Sequence, residues 1–140
     1  MSTPDTVHAT CVAIDRGGLL IKGRSGSGKS ALALQLLACG AALVADDRVV
    51  LKDIKGGLWA SCPGTLTGRI EARGIGILNA VSLTQVEIKA VVDMDIAETD
   101  RLPPARHISL CGHELPLLHK VEGIHFASAL VQYMRGGRDA

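Results

Sequence analysis

The chain of 140 residues is long enough for one ordinary hydrophobic core, and we expect a single domain over residues 1–140. Hydrophobic residues make up 47% of the chain and charged residues 21%, a composition that excludes a disordered polar segment. One Trp, one Tyr, one Phe and a formal net charge of +1 provide neither stacking rings nor a basic field, which excludes a general nucleic-acid binder.

The sequence predicts a protein without a membrane anchor or an export signal. Its longest stretch without charged residues, residues 30–45, contains Gln35 and Gly40 and is too short to span a bilayer. The N-terminus lacks the basic and apolar pattern of a signal peptide. The four cysteines show no CxxC spacing, which is typical of reduced thiols in the cytoplasm. We therefore expect a cytoplasmic location.

In the first half of the chain, strands are predicted on both sides of one helix. The predicted strands are short apolar runs bounded by turn residues, and they cover residues 7–14, 19–22, 41–45, 49–52 and 58–62. Arg16, Gly17 and Gly18 are predicted to form the turn between the first two strands. The Ala- and Leu-rich residues 29–39 favour a helix, which Gly40 is expected to end as its C-cap.

The second half is predicted to be mostly extended, with a helix at its end. Its predicted elements are an extended, glycine-punctuated segment over 70–78, a strand over 86–94, a hairpin over 107–118 and a helix over 124–135. The apolar face of that helix is predicted to contain Ile124, Ala127, Val131 and Met134, and its exposure hints at self-association. The fold class is therefore α/β, with a strand-rich sheet and a C-terminal helix.

A complete G-x4-G-K-S motif lies between the second predicted strand and the helix. It consists of Gly23, Arg24, Ser25, Gly26, Ser27, Gly28, Lys29 and Ser30. Glycines allow successive backbone N–H groups to curl around a phosphate, and the positive end of the following helix faces the same anion. The lysine supplies a mobile positive charge, and the last hydroxyl can bind Mg²⁺. The motif predicts nucleotide binding.

Two acidic residues, Asp46 and Asp47, directly follow the predicted strand over 41–45. Adjacent residues of an extended chain point in opposite directions, so the two carboxylates are expected to have different roles. One can face a metal ion, while the other can face an incoming hydroxyl and accept its proton. Taken alone, the pair is also compatible with a turn or a helix cap; beside the phosphate loop, the functional interpretation is favoured.

Together these motifs resemble the catalytic domain of HPr kinase/phosphorylase, a bacterial family that phosphorylates a serine of the phosphocarrier HPr. Four segments carry the resemblance in the family's order and approximate spacing: residues 7–9 (Val-His-Ala), 23–30, 43–48 (Leu-Val-Ala-Asp-Asp-Arg) and 70–79, which contains Glu-x-Arg-Gly-x-Gly. The phosphate loop occurs in many folds, whereas its combination with the last two segments is specific. The resemblance implies the phosphate-loop fold shared with phosphoenolpyruvate carboxykinase.

The resemblance also implies roles for the acidic residues. Asp46 would be the base that activates the serine hydroxyl, and the acid when inorganic phosphate attacks the phosphoserine. Asp47 would lie near Mg²⁺, with Ser30 and Glu71 completing the surroundings of the metal. Magnesium is thus the expected cofactor, and ATP is the expected substrate.

Two further residues take expected roles from the same resemblance. His8 would lie beside the phosphates next to Asp46, and Arg73 would neutralise charge or brace Glu71. Without the resemblance, a lone strand histidine is more often structural, and Glu71 with Arg73 is more often a surface ion pair.

The sequence departs from the family pattern in several places. Ala31 stands where many members of the family have Glu. The segment over residues 80–87 is shorter than the corresponding glycine-containing loop of the family. Residues 117–123 replace a basic, glycine-bearing loop. The resemblance implies that the family's basic loop helps phosphate to enter and bind, so its replacement favours the kinase reaction over reverse phosphorolysis. The separate N-terminal domain of the family is expected to be missing, as in a short proteobacterial form.

We therefore expect a Mg²⁺- and ATP-dependent protein serine kinase that acts on an HPr-like phosphocarrier and assembles as a homohexamer, as the family does. Ala31 and the altered C-terminal half leave open a non-catalytic ATP-binding sensor that regulates a two-component or phosphotransfer partner. A third class, a small-molecule kinase or phosphoenolpyruvate carboxykinase relative, normally needs more chain to form a substrate lid.

Overall fold

A curled nine-stranded β-sheet, a separate two-stranded hairpin and two helices form the α/β fold of the residues that the computed structural model describes, 4–64 and 67–140. The strands are β1 (Asp5–Val7), β2 (Ala9–Ile14), β3 (Gly17–Lys22), β4 (Ala42–Ala45), β5 (Val49–Ile54), β6 (Gly57–Ser61), β7 (Arg69–Ala72), β8 (Gly76–Asn79), β9 (Gln85–Ala97), β10 (Arg106–Leu110) and β11 (His113–Lys120). The helices are α1 (Lys29–Ala38) and α2 (Phe126–Gly136). Neither helix is long and apolar enough to cross a membrane.

The long strand β9 lies at the centre of the sheet and joins its parts. The main path of the sheet is β1-β5-β6-β9-β3-β2-β4, and β11 pairs with β9 and with β10. Strands β3 and β9 are parallel, so their carboxyl ends reach the same edge of the sheet. The segment that follows β3 therefore begins beside the end of β9.

Each face of the sheet covers its own hydrophobic core. On one face, α1 and α2 pack over side chains such as Val12, Leu19 and Ile21. On the other face the sheet curls over itself, so that Leu51 and Leu58 pack against Leu20. Strands covered on both faces become continuously apolar, which explains the unbroken hydrophobic runs in the sequence.

Helix α1 follows the prediction closely. It begins at Lys29 and ends at Ala38, with Cys39 as its C-cap. The next residue, Gly40, has φ 100°, and the N–H groups of Gly40 and Ala41 donate to the carbonyls of Leu37 and Leu36. This is the Schellman arrangement, in which a left-handed glycine satisfies the last carbonyls of a helix.

The strand predicted over 7–14 is two strands. The chain bends at His8, so that β1 pairs with β5 while β2 pairs with β3 and β4. The predicted turn at 16–18 is also shifted, because Asp15 and Arg16 form it and Gly17 already pairs with Ile14. The glycines serve packing rather than the turn.

Two further predictions are corrected by the packing. The extended segment predicted over 70–78 is the hairpin of β7 and β8, in which Ala72 pairs with Gly76. The helix predicted from Ile124 begins at Phe126, and Ile124 is fully exposed. The apolar face of α2 is not an exposed surface, since Ala127, Val131 and Leu130 are buried in the core.

An ion pair between Glu98 and Arg106 fastens the chain after β9 to β10. The guanidinium donates through Nε and Nη2 to the Glu98 carboxylate at 3.2 and 3.0 Å. The N–H groups of Thr99 and Asp100 donate to the same carboxylate. The hydrogen bond from Arg106 is the main reason that the pKa of Glu98 lies below its ordinary value.

We expect Glu98→Gln to lower the melting temperature at pH 7, and we expect this loss to narrow as the solution is acidified. Because the pKa is lower in the folded than in the unfolded chain, the carboxylate stabilises the fold above about pH 4.3. That stabilisation disappears as the pH falls through the folded-state pKa. Glu122→Gln is the matched control, since Glu122 forms an exposed pair with Lys120. A pH-independent difference between Glu98→Gln and the native chain would contradict this account.

Candidate active site

The glycine-rich loop connects β3 directly to α1, as the motif predicts. Gly23, Gly26 and Gly28 have φ values of 153°, 85° and 101°, which L side chains rarely adopt. The loop closes on itself where the N–H of Ser27 donates to the Arg24 carbonyl at 3.0 Å. A Cβ on Gly23 would lie 2.5 Å from Oγ of Ser27, so the loop has this shape only with a glycine at its first position.

The ammonium of Lys29 lies across the loop. Its Nζ donates to the carbonyls of Gly23 and Arg24 at 2.6 and 3.0 Å, and the residue is only 7% exposed. The positive charge is thus held at the first turn of the loop, beside the N-terminus of α1. Both features attract an anion to the same place.

Two aspartates at the end of β9 hold the beginning of the loop, and the sequence analysis did not single them out. The Asp95 carboxylate accepts from the backbone N–H of Arg24 at 3.1 Å. Asp93, itself buried, accepts from the N–H of Asp95 at 2.9 Å and pairs with Lys22 at 3.4 Å. The alternation of Asp93 and Asp95 within an apolar strand was the available signal.

Asp46 lies at a junction of three elements. Its Oδ1 accepts from Oγ of Ser30 at 2.8 Å and from Oγ1 of Thr10 at 3.0 Å. Its Oδ2 lies 3.4 Å from the backbone N–H of Glu71. The carboxylate therefore connects the start of α1, strand β2 and strand β7.

Asp47 lies outside this junction, as the sequence predicts, but the reason is not strand alternation: the residue follows β4 in a bend and has φ 73°. Its side chain is 67% exposed, and its Oδ1 lies 3.3 Å from Nδ1 of His8. The bend that separates β1 from β2 brings His8 to this position. The structure thus brings His8 next to Asp47, whereas the expected neighbour of His8 was Asp46.

The remaining expected site residues line one cleft. A cleft of about 590 Å³ is bounded by residues of the phosphate loop together with Asp47, Glu71 and Arg73. Arg73 lies in the turn of the β7–β8 hairpin, and the described part of the chain shows no ion pair between it and Glu71. Bracing of Glu71 by an Arg73 salt bridge is thus absent from this arrangement.

A second cleft of about 550 Å³ adjoins the first. It is bounded by Asp46, Asp47 and Glu71 and by less polar residues that include Cys62 and Ile77. Asp47 and Glu71 belong to both clefts. A group bound at the phosphate loop and a group in the second cleft would therefore meet at these two carboxylates.

The donor set fits magnesium bound together with a nucleotide. Magnesium usually keeps several waters and takes one or two carboxylates plus phosphate oxygens, rather than a complete protein cage. The Ser30 hydroxyl and the Asp46 carboxylate lie 2.8 Å apart beside the loop, with Asp47 and Glu71 on the same cleft. Within residues 4–64 and 67–140, no group of three His, Cys, Asp or Glu side chains could hold a metal by itself.

Thr10 was missed in the sequence analysis. It is fully buried in a strand whose other residues are apolar, and its hydroxyl donates to Asp46. A threonine in an otherwise apolar run is a weak signal, because threonine is a normal strand residue.

The strand-rich sheet, the glycine-rich loop ahead of α1 and the acidic cleft define an α/β domain of the phosphate-loop class. The family model described as "HPr Serine kinase C-terminal domain" matches residues 1–100. The chain belongs to this family, as the sequence resemblance predicts.

Relatives and a solved structure agree with this assignment. The chain is 46% identical over 81 residues to HPr kinase/phosphorylase of Clostridium tetani, covering 57% of this chain and 27% of the relative. It is 43% identical over 93 residues to that of Alkaliphilus metalliredigens, covering 65% of this chain and 30% of the relative. The chain thus spans less than a third of the length of these relatives.

The solved structure is that of the HPr(Ser) kinase/phosphatase from Coxiella burnetii. It superposes with a TM-score of 0.79 at 27% identity, covering 94% of this chain and 88% of that one. This agreement confirms the predicted fold class, including the strand-rich sheet and the C-terminal helix.

We expect Gly23→Ala to weaken the binding of ADP by about tenfold, or 1.4 kcal/mol, because the new Cβ would displace Ser27 from within the loop. The measurement is a calorimetric titration. Gly56→Ala is the matched control: Gly56 has φ 81° but lies in the β5–β6 turn with nothing within 4 Å of a Cβ, so it should lower stability without affecting ADP. Adding Ser27→Gly to Gly23→Ala should restore part of the affinity. Native affinity in Gly23→Ala would refute the steric argument.

Proposed function

We propose that the chain is a Mg²⁺- and ATP-dependent protein serine kinase whose acceptor is an HPr-type phosphocarrier. The observation that carries the proposal is the meeting of the two clefts at Asp47 and Glu71, in a chain of the HPr kinase family. One cleft contains the phosphate loop, and the other gives access to the exposed carboxylate. This is the arrangement that transfer from a nucleotide to a protein hydroxyl requires.

In the proposed reaction the acceptor serine oxygen attacks the γ-phosphorus of ATP. The bond from that phosphorus to the β,γ-bridging oxygen breaks, ADP leaves, and the hydroxyl proton passes to a carboxylate of the enzyme. Backbone N–H groups of the loop and the Lys29 ammonium bind the phosphate oxygens. Magnesium, when bound, neutralises charge on the β- and γ-phosphates; Ser30, Asp46 and Glu71 are the residues that would hold it.

The hydrogen bonds favour a division of roles between the two aspartates that differs from the one given by the sequence resemblance. Both hydroxyl donors to Asp46 use Oδ1, and one of them is Ser30, the expected metal ligand. A carboxylate that shares the metal-binding hydroxyl suits the metal side of the site. Asp47 is exposed, lines both clefts, and accepts no hydrogen bond from a hydroxyl of the described residues. We therefore assign the base to Asp47, and the metal side to Asp46.

His8 and Arg73 take supporting roles in this proposal. His8 lies 3.3 Å from the Asp47 carboxylate and can orient it towards the acceptor hydroxyl. Arg73 lines the phosphate-loop cleft, where its guanidinium can neutralise charge on the transferred phosphoryl group. If phosphorolysis also occurs, protonated Asp47 would return the proton to the serine oxygen as inorganic phosphate attacks the phosphoserine.

A non-catalytic nucleotide sensor is the second candidate, and Ala31 favours it. Ala31 is exposed on the wall of the phosphate-loop cleft, where a methyl group stands in place of the acid that the family pattern leads one to expect. Such a protein would bind ATP and act on a signalling partner without transferring phosphate. A homohexameric assembly is compatible with either candidate.

The deciding experiment incubates labelled ATP, Mg²⁺ and an HPr-type phosphocarrier with the native chain, Asp47→Asn and Asp46→Asn. We expect Asp47→Asn to bind ADP within about threefold of the native affinity and to transfer phosphate at least a hundredfold more slowly, the usual effect of losing a general base. Asp46→Asn should instead weaken the Mg²⁺-dependent part of ADP binding. Transfer is measured as phosphoserine formed over time.

Asp53→Asn is the matched control, because Asp53 lies on β5 and pairs with His113 outside the clefts. It should transfer phosphate at the native rate. Transfer at the native rate by Asp47→Asn would overturn the assignment of the base. ATP binding by the native chain without any phosphoserine would overturn the kinase proposal and favour the sensor.

A further inference from the structure

The hydroxyl of Thr10, on strand β2, contacts the Asp46 carboxylate of the candidate active site. Thr10 is fully buried on β2, and its Oγ1 lies 3.0 Å from Oδ1 of Asp46, thirty-six positions along the chain. Ser30 donates to the same oxygen from α1 at 2.8 Å. Two hydroxyls from different elements therefore converge on one oxygen of one carboxylate.

Burial of the Thr10 hydroxyl is energetically unfavourable unless the hydrogen bond to Asp46 compensates for the lost contact with water. Val12 lies two residues further along β2, on the same face of the strand, and packs in the core beneath α1. A valine at position 10 would fill nearly the same space without a polar group. Burying a hydroxyl is unfavourable unless it is hydrogen-bonded, and the described residues provide it with Asp46 as the acceptor.

The bond restricts how the carboxylate can turn. With Oδ1 held by Thr10 and Ser30, Oδ2 lies 3.4 Å from the N–H of Glu71, and the plane of the group is fixed between three elements. Ser30 would share its hydroxyl oxygen with the metal. Thr10, which is fully buried, would serve only as a hydrogen-bond donor to Asp46.

We propose that Thr10 is a positioning residue that holds Asp46 in the orientation needed for Mg²⁺ to bind with the nucleotide. The inference rests on the proposed function in that it places the metal beside Ser30 and Asp46. It adds a residue on β2, outside the phosphate loop and both acidic motifs. Mutation of a residue that hydrogen-bonds to a metal ligand typically lowers the metal affinity by about 10- to 100-fold.

The test compares the native chain with Thr10→Val and Thr10→Ser in calorimetric titrations with ADP, with and without Mg²⁺. Thr10→Val should bind ADP without the metal within about twofold of the native affinity. The strengthening of ADP binding by Mg²⁺ should need roughly 10-fold more metal in Thr10→Val. Thr10→Ser retains the hydroxyl and should behave as the native chain does.

Val12→Thr is the matched control for stability, since it places an unpartnered hydroxyl in the same strand. It should lower the melting temperature while leaving the Mg²⁺ dependence unchanged. If Thr10→Val is too unstable to purify, Thr10→Cys, with its weaker donor, should raise the metal requirement in the same direction. Native Mg²⁺ dependence in Thr10→Val or Thr10→Cys would overturn the proposal, as would a shift in Val12→Thr equal to theirs.

This measurement needs no phosphate acceptor, so it separates the two proposals. A native chain that binds Mg²⁺ and ADP but forms no phosphoserine fails as a kinase, while the role of Thr10 still stands or falls by the titrations. A native chain whose ADP binding is insensitive to Mg²⁺ overturns the role of Thr10 directly.

Discussion

The Asp46 carboxylate is the group on which the geometry of the site depends. It receives hydroxyl donors from β2 and α1 and lies beside a backbone N–H of β7, so it fixes three elements that are distant in sequence. The β7–β8 hairpin lies outside the main sheet, and β7 packs against α1. Without the contact to Asp46, the hairpin that bears Glu71 and Arg73 would lose a polar link to the phosphate loop.

Most of the fold follows from local patterns in the sequence. The sequence-based predictions are wrong where tertiary packing determines the local structure. Helix α1 and its glycine cap could be predicted because their signals lie within one turn. The sequence pattern predicts a turn at Gly18, but in the structure Gly18 lies in β3, where a Cβ would be 2.7 Å from Cγ1 of Val86 and 2.9 Å from the Glu87 carbonyl. Close approach between β3 and β9 requires that glycine. Likewise Ile124 fits the apolar period of α2 but precedes its first turn.

The site was predictable where a motif is contiguous and unpredictable where a contact joins separate strands. The phosphate loop, the aspartate pair and Glu71 could all be located from the sequence, and they do line adjoining clefts. Alternation alone predicts that Asp46 and Asp47 face opposite ways, but not which one faces Ser30. That depends on the turn of the chain after β4. Thr10 was missed for a similar reason, since only the pairing of β2 with β4 brings it to Asp46.

The backbone at Asp47 indicates why the two adjacent carboxylates make different contacts. Four non-glycine residues of the described chain have positive φ, and three of them, Asp15, Lys55 and Cys111, begin two-residue hairpin turns where that conformation is normal. Asp47, with φ 73°, lies in no such turn. A conformation of this kind costs on the order of 1–3 kcal/mol and persists only where the surroundings impose it. Here the preceding residue, the half-buried Asp46, is bonded by hydroxyls of β2 and α1, and the left-handed backbone at Asp47 carries the exposed carboxylate past that junction to His8.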